Sequence, residues 1–539
     1  MNAKRFKTNC KRLFALVLAA ALLSGCTRKN EVSGQLTLSE GMPSALSRDA
    51  NRESSFEAKL YFVSEDGRNL SAETRTINCD GSMSRAEAAI RAMQEGPVSD
   101  ALQDSVPYSV RFSGIDLSTD ACNVYFTGEF DEIDEIRDWL TLRAAVSSTI
   151  YAAENIGTVN VYLNGTVPGY QGKALGALAP IAGALDTYLS DLRQRYEVFA
   201  QAQTEPGARE TNIVTLYFAN TDDTLLIARN RKIPYDLALG KAGIVKVLLS
   251  ELLQGDIGAH GLEPVLPADL QLAQEPSVVY LSDLQKEATF SAASETEPSV
   301  SLSPDPNAQE TLAQDRNEPC IIELVLQQPT MEYNEQMMCG AITLMLTGYL
   351  PKVAGVKISM TETSQSGIQA VRNLSEGDYF TRDDFSGLIG RGIYLAYPDA
   401  EGAVLDRVER VVASASVYDP DARLFELFKG PADPGVMHAL FSEQDVKDVY
   451  IVGDLAVVNW NAGFAEKLKK IAETEQMYVA GGGQEVLFVF GVINTLTEIP
   501  GVERVWMLED GQKLGMVENL YLGNALLRNP GILINVTNS

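Results

Sequence analysis

The 539-residue sequence predicts an α/β (α+β) chain built from three tandem small units, each a sheet with two helices. Three observations carry this expectation. One order of elements occurs three times along the chain. Its helices place apolar residues at helical spacing, and its strands alternate in aromatic and β-branched residues. The apolar fraction of 45% is enough for real cores, and the length suits three or four domains.

Each copy opens on two strands. The first is aromatic: residues 59–62 (KLYF), 215–218 (TLYF) and 393–395 (IYL). The second carries arginine: residues 70–77 with Arg75, 225–233 with Arg229 and Arg231, and 405–411 with Arg407 and Arg410. A helix ending in glycine follows, at 85–96 (RAEAAIRAMQEG), 241–255 (KAGIVKVLLSELLQG) and 421–430 (DARLFELFKG). The terminal glycine can supply a left-handed C-cap, and Pro97 and Pro431 stop two of the three helices. A further strand comes next, at 122–126, 277–281 and 455–460, then an apolar helix, at 142–153, 335–350 and 484–498. Each copy closes on a Gly-Val turn into a last strand: 156–159 (IGTV), 353–356 (VAGV), and 500–502 (PGV) leading into 505–507. The predicted unit is therefore strand, strand, helix, strand, helix, strand. Its sheet is mixed or antiparallel, with both helices on one face.

Particular stretches carry a resemblance to a known family. In the third copy these are 425–431 (FELFKGP) and 491–505 (GVINTLTEIPGVERV), and in the first 89–97 (AIRAMQEGP) and 148–161 (STIYAAENIGTVNV). They resemble the GerMN domain found in spore-germination and sporulation lipoproteins. The second copy is divergent. Residues 291–319, rich in Ser, Glu, Pro and Asp, read as a disordered insertion between its strand and its final helix. The resemblance implies a fold similar to the ring-building motif of secretion and sporulation channels, domain–domain association, and a role in sporulation or germination. GerMN domains also occur outside spore formers, including a lipoprotein linked to a membrane sensor kinase.

The N-terminus predicts export. Lys4, Arg5, Lys7, Lys11 and Arg12 precede an unbroken apolar run at 13–23 (LFALVLAAALL), too short to span a bilayer. Residues 23–26 (LSGC) resemble the lipobox of bacterial lipoproteins. That resemblance implies cleavage before Cys26 and diacylglyceryl transfer to its thiol, so that two or three acyl chains hold the chain on the outer face of the cell membrane. The expected organisation is then signal peptide 1–25, lipidated flexible stalk 26–55, domain 1 at 56–172, and a helical connector at 173–211. Domain 2 is expected at 212–360, a linker at 361–390, domain 3 at 391–515, and a tail at 516–539 whose residues 522–528 pack back on the last domain.

The formal charge is −28, and loss of the five basic residues of the signal leaves −33. Nucleic acid is excluded as a partner on that charge. Outside the cytoplasm, Cys79 with Cys122 and Cys320 with Cys339 are candidate disulfides, although Cys339 in MMCGAITLML suits a buried thiol equally well. His260 and His438 lie in different segments with no metal-ligand pattern. Residues 480–484 (AGGGQ) lack the lysine of a phosphate loop and read as a flexible helix start. Asp131, Glu132, Asp134, Glu135 and Asp138 read as a solvated helix start, with glycoside cleavage or calcium binding as the sharper alternatives. Arg75, Arg229 and Arg407 recur at similar places, either as structural donors to carbonyls or carboxylates or as a shared ligand contact.

No nucleophile, base and orienting group form a set. The expectation is a non-enzymatic envelope adaptor with no cofactor and no metal, contacting envelope proteins or cell-wall polymer through several weak sites. An extracytoplasmic ligand- or glycan-binding receptor, or a sensor-kinase accessory lipoprotein, is the alternative.

Overall fold

The computed structural model describes residues 54–534 except 80–82, 119, 130–134, 171–172, 182–183, 203–208, 237–238, 257–261, 285–315, 317, 364–368, 376, 400–401, 432–440 and 473–482. The expected signal peptide and the expected stalk up to residue 53, Cys26 included, lie outside these residues; Ser54 and Ser55, expected in the stalk, belong to a strand.

The first unit begins with a hairpin of β1 (Ser54–Ser64) and β2 (Leu70–Cys79), which buries alternate residues Ala58, Leu60 and Phe62. Helix α1 (Arg85–Gln94) follows; the Ser84 hydroxyl caps it by accepting from the Glu87 N–H at 2.9 Å. Strand β3 (Leu102–Gln103) adds to β1. A second sheet then forms from β4 (Val110–Leu117), β5 (Ala121–Gly128) and β6 (Thr158–Leu163), with β4–β5 antiparallel and β5–β6 parallel. Helix α2 (Glu135–Glu154) connects β5 to β6 and packs against both β1 and β6. Every residue from Trp139 to Ile150 on it is buried. This corrects the expectation of a single sheet with both helices on one face. A helix apolar on all sides needs a partner on all sides, and the second sheet provides it.

Helix α3 (Leu185–Ala202) lies inside the expected connector. The residues before it are extended and stitch the first unit to the next. Leu178 bridges Val159 on β6, and the Ala177 N–H donates to the Ile213 carbonyl at 2.9 Å.

The second unit repeats the plan. Strands β7 (Arg209–Ala219) and β8 (Leu226–Asp236) form its hairpin, and α4 (Lys241–Leu253) follows. Strand β9 (Ser277–Tyr280) pairs antiparallel with β10 (Cys320–Gln327). Helix α5 (Glu335–Tyr349) then leads into β11 (Val353–Thr363), parallel to β10. The insertion therefore lies between two paired strands, not between strand and helix. Its residues 291–315 lie outside the described residues. Its end at Arg316 does not float: the guanidinium stacks over the Tyr280 ring at 3.8 Å and pairs with Asp283. The described residues of the expected linker 361–390 are also folded. Strand β12 (Gln369–Asn373) extends the sheet beside β11, Phe380 bridges Val356, and a 3-10 turn at Asp383–Leu388 leads into the third unit.

In the third unit, β13 (Ile389–Pro398) and β14 (Leu405–Ala413) form the hairpin, followed by α6 (Pro420–Phe428). Strands β15 (Val446–Val452) and β16 (Leu455–Trp460) are antiparallel. An additional helix, α7 (Phe464–Ala472), precedes α8 (Gln484–Leu496). Strand β17 (Arg504–Glu509) runs parallel to β16, and β18 (Gln512–Lys513) pairs with it. Phe441, Trp460, Phe464 and Phe488 stack in this unit's core, with Trp460 and Phe464 centroids 4.3 Å apart.

The tail packs on the third unit, with Leu522 buried in its core. It forms β19 (Met516–Val517), β20 (Leu520–Tyr521), β21 (Leu526–Leu527) against β17, and β22 (Leu533–Ile534) against β14. The hairpins of the second and third units join into one sheet of order β22-β14-β13-β8-β7. The first and second units share one hydrophobic core, and most of the third unit's buried residues form another. Among the described residues no helix is long and apolar enough to cross a membrane.

Candidate functional site at the unit junctions

The recurring arginines come first. Cross-strand register makes Arg75, Arg231 and Arg410 equivalent: they lie opposite Ala58, Val214 and Ile393. Each closes the end of its unit's first helix. Arg75 donates to the carbonyls of Ala92 and Gly96, Arg231 to Glu251 (2.8 Å) and Gly255 (2.6 Å), and Arg410 to Glu426 (2.7 Å) and Gly430. Gly96, Gly255 and Gly430 all have positive φ, which turns their carbonyls toward the guanidinium. A cation at this end also meets the negative pole of the helix. The expected trio was Arg75, Arg229 and Arg407, so two members shift. Arg229 pairs with Asp120 at 3.2 Å, and Arg407 pairs with Glu498 at 3.3 Å while lying 3.4 Å from the Tyr394 ring centroid. The structural-donor reading holds for the true trio. Arg410→Met is expected to destabilise the third unit by about 2 kcal/mol, and Arg407→Met by under about 1 kcal/mol, in urea titrations followed by tryptophan fluorescence.

A second repeated contact ties the late helix to the hairpin. The Thr149 hydroxyl accepts from the Tyr61 N–H, and the Thr495 hydroxyl from the Ala396 N–H, both at 3.1 Å. Tyr61 and Ala396 each precede the aromatic residue (Phe62, Tyr397) that lies 13 positions before the capping arginine. Thr495→Val leaves one buried N–H without an acceptor, and a loss of about 1–3 kcal/mol is expected in the same titration.

Between the first and second units lies a buried polar seam. Asn160 Nδ2 donates to Asn123 Oδ1 and Thr215 Oγ1, each at 3.1 Å. Thr215 Oγ1 donates to Asn230 Oδ1 at 3.0 Å, and Asn230 Nδ2 reaches Thr158 Oγ1 and the Asp120 carbonyl. At the other end of this junction Arg382 is buried. Its Nη1 donates to the Leu344 carbonyl at 2.7 Å and to Thr347 Oγ1 at 3.3 Å, and its guanidinium lies 4.8 Å from the Tyr162 ring centroid. Tyr162 stacks on Tyr125 at 4.8 Å, and the Tyr125 hydroxyl bonds Asp116 at 2.5 Å. Burial pushes both phenols up, so they remain neutral. Gly348 leaves the room: a Cβ there would lie 3.1 Å from the Tyr162 hydroxyl.

The third unit touches both others. Glu154 accepts from Arg391 at 3.4 Å and from the Arg85 N–H at 3.0 Å, and Arg391 also donates to the Tyr418 hydroxyl at 2.6 Å. The Ser414 hydroxyl donates to the Leu117 carbonyl at 2.8 Å. Two open clefts flank these contacts. One of about 890 Å³ lies between the second and third units, lined by Arg229, Glu409, Phe425, Glu426 and Lys429 among others. One of about 590 Å³ lies between Tyr151–Asn155 of the first unit and Thr497–Glu503 of the third.

The structure does not gather the other sequence-predicted residues into a site. His260, His438, Asp131, Glu132 and Asp134 lie outside the described residues, as do 480–482. Glu135 begins α2, and Asp138 sits half-buried one residue before Trp139. At α8, the buried Glu485 carboxylate folds back and accepts from the Gly483 N–H at 3.3 Å. The helix's own carboxylate thus takes the place a phosphate would need. Cys122, Cys320 and Cys339 are buried thiols outside any disulfide, so neither candidate disulfide is formed. Burial pushes Cys122 well up and Cys339 to about 12. These three thiols are expected to resist iodoacetamide at pH 8 in the native chain and to react in denaturant without reductant.

These observations define a tandem α/β protein whose recurring polar residues brace each unit from within, while other polar residues join the units. Residues 59–167 and 393–515 match the Germane family, described as sporulation and spore germination. Together these segments make up less than half of the chain. It is similar to the tandem GerMN domains of the sporulation protein GerM from Bacillus subtilis, at 16% identity over 61% of this chain and 99% of that chain, with a TM-score of 0.21. It is also similar to the first GerMN domain of that protein, at 20% identity over 24% of this chain and 94% of that chain, with a TM-score of 0.18. No curated protein matches.

Proposed function

We propose that this protein is a lipid-anchored, non-catalytic adaptor of the cell envelope that acts in sporulation or spore germination. The observation that carries the reading is the pair of Germane segments at 59–167 and 393–515. Three packed units on one lipidated cysteine, Cys26, present several surfaces at once to envelope proteins or wall polymer, and linked weak contacts sum to tight attachment. The recurring arginines support the adaptor over an enzyme, because each is engaged by a helix end. In-frame deletion in the native host is expected to lower the yield of heat-resistant, germinating spores, with recovery by the intact gene. A deletion strain with normal spore yield and normal germination would contradict the reading.

A ligand-binding receptor is the second reading. It is favoured by the 890 Å³ cleft, a volume that suits a small molecule. Calorimetry with soluble wall fragments tests it: saturable binding lost in Lys429→Glu supports a receptor.

A further inference from the structure

The third unit attaches to the second through a strand edge. The start of β13 pairs parallel to the start of β8, Ile389 opposite Leu226 and Gly390 opposite Ile227. At the end of the chain β22 pairs parallel to β14, Leu533 opposite Leu405 and Ile534 opposite Asp406. Leu226 and Leu405 are one repeat position, each five residues before its capping arginine, Arg231 or Arg410. Both are fully buried, and each faces a glycine of the late helix: a Cβ on Gly340 would lie 2.9 Å from Leu226, and one on Gly491 3.9 Å from Leu405. The tail strand therefore docks on the third unit in the place, direction and register in which the third unit docks on the second.

We infer that residues 530–534 are a strand plug that ends a unit-to-unit contact which would otherwise continue, and that the β14 edge, once unplugged, accepts a second copy of this chain. A sheet edge left bare recruits strands, and repeat arrays need a terminal cap for that reason. The plug is held from one side: the Asn529 N–H donates to Asn494 Oδ1 at 2.9 Å, and Asn494 Nδ2 donates back to the Asn529 carbonyl at 3.1 Å. Ile532 and Leu533 pack on Ala396, Leu405 and Leu487. The second copy has a matching donor. Ser54 and Ser55 begin β1 at the repeat position of Ile389 and Gly390, and β3 pairs with β1 only at Val63 and Ser64. The contact is head-to-tail, so it joins unlike surfaces of the two copies.

The test is sedimentation velocity of the full chain in mild detergent beside two variants: a chain ending at Asn529, and the full chain carrying Leu533→Asp. The full chain is expected to sediment as one species. Both variants are expected to self-associate with rising concentration, and an added peptide of residues 529–539 is expected to reverse it. Variants that melt like the parent and stay monomeric at 100-fold higher concentration overturn the inference. So does association that the peptide leaves untouched, as general aggregation would, or equal association of the parent. Because the adaptor reading is scored on spores, either result here leaves that reading to its own experiment.

Discussion

Arg382→Met is expected to remove about 3 kcal/mol of stability and to loosen the first unit from the second. The side chain is 7% exposed and stands where α5, Tyr162 and Tyr217 meet. Its cation is stabilised by the Leu344 carbonyl, Thr347 Oγ1 and the Tyr162 face, not by a carboxylate among its described bonds. Methionine fills similar volume yet leaves the Leu344 carbonyl without this donor, and the tyrosine face loses its cation. Lysine keeps the charge but cannot reach carbonyl, hydroxyl and ring together, so Arg382→Lys should recover only part of the loss. Fluorescence separates the units well. Trp139 reports the first and Trp460 and Trp506 the third, and the chain has no other tryptophan. In urea, the Trp139 transition should move below that of the other two. A shift under about 0.5 kcal/mol would show that the shared core and the seam at Asn160 and Asn230 hold the junction without Arg382.

Cys26→Ser is expected to move the protein from the membrane fraction into the soluble one. The membrane hold is expected from acyl chains on this one residue, and the charge of −33 expected after loss of the signal would oppose adhesion to anionic lipid. Without those chains no other segment in the described residues offers a spanning helix. The variant should also lose labelling by radioactive palmitate. Retention in carbonate-washed membranes at wild-type level would contradict lipid anchoring at this position.

The units were legible in the sequence because each is built from strong local signals: the aromatic first strands, the glycine-ended helices and the apolar late helices all occur where they are expected, although β1, β7 and α2 begin earlier, at Ser54, Arg209 and Glu135. What was missed depends on pairing. Strands β4 and β15 alternate in plain sight, yet only their partners β5 and β16 carry the repeat's apolar run. The long insertion hid the β9–β10 pair, because the two strands lie 40 residues apart. Arg229 and Arg231 point to the same face of β8, so sequence spacing could not choose between them; the opposing residue on β7 does. The junction residues Arg382, Glu154 and Asn160 gave no local signal, since each draws its meaning from a partner in another unit. The short β22 is visible only as the partner of β14.

The most direct test of the sporulation adaptor is immunofluorescence of the untagged protein in its native host through growth and starvation. The protein is expected to appear at starvation and to concentrate on the membrane that borders the forespore. Constant production with an even signal around growing cells would contradict it.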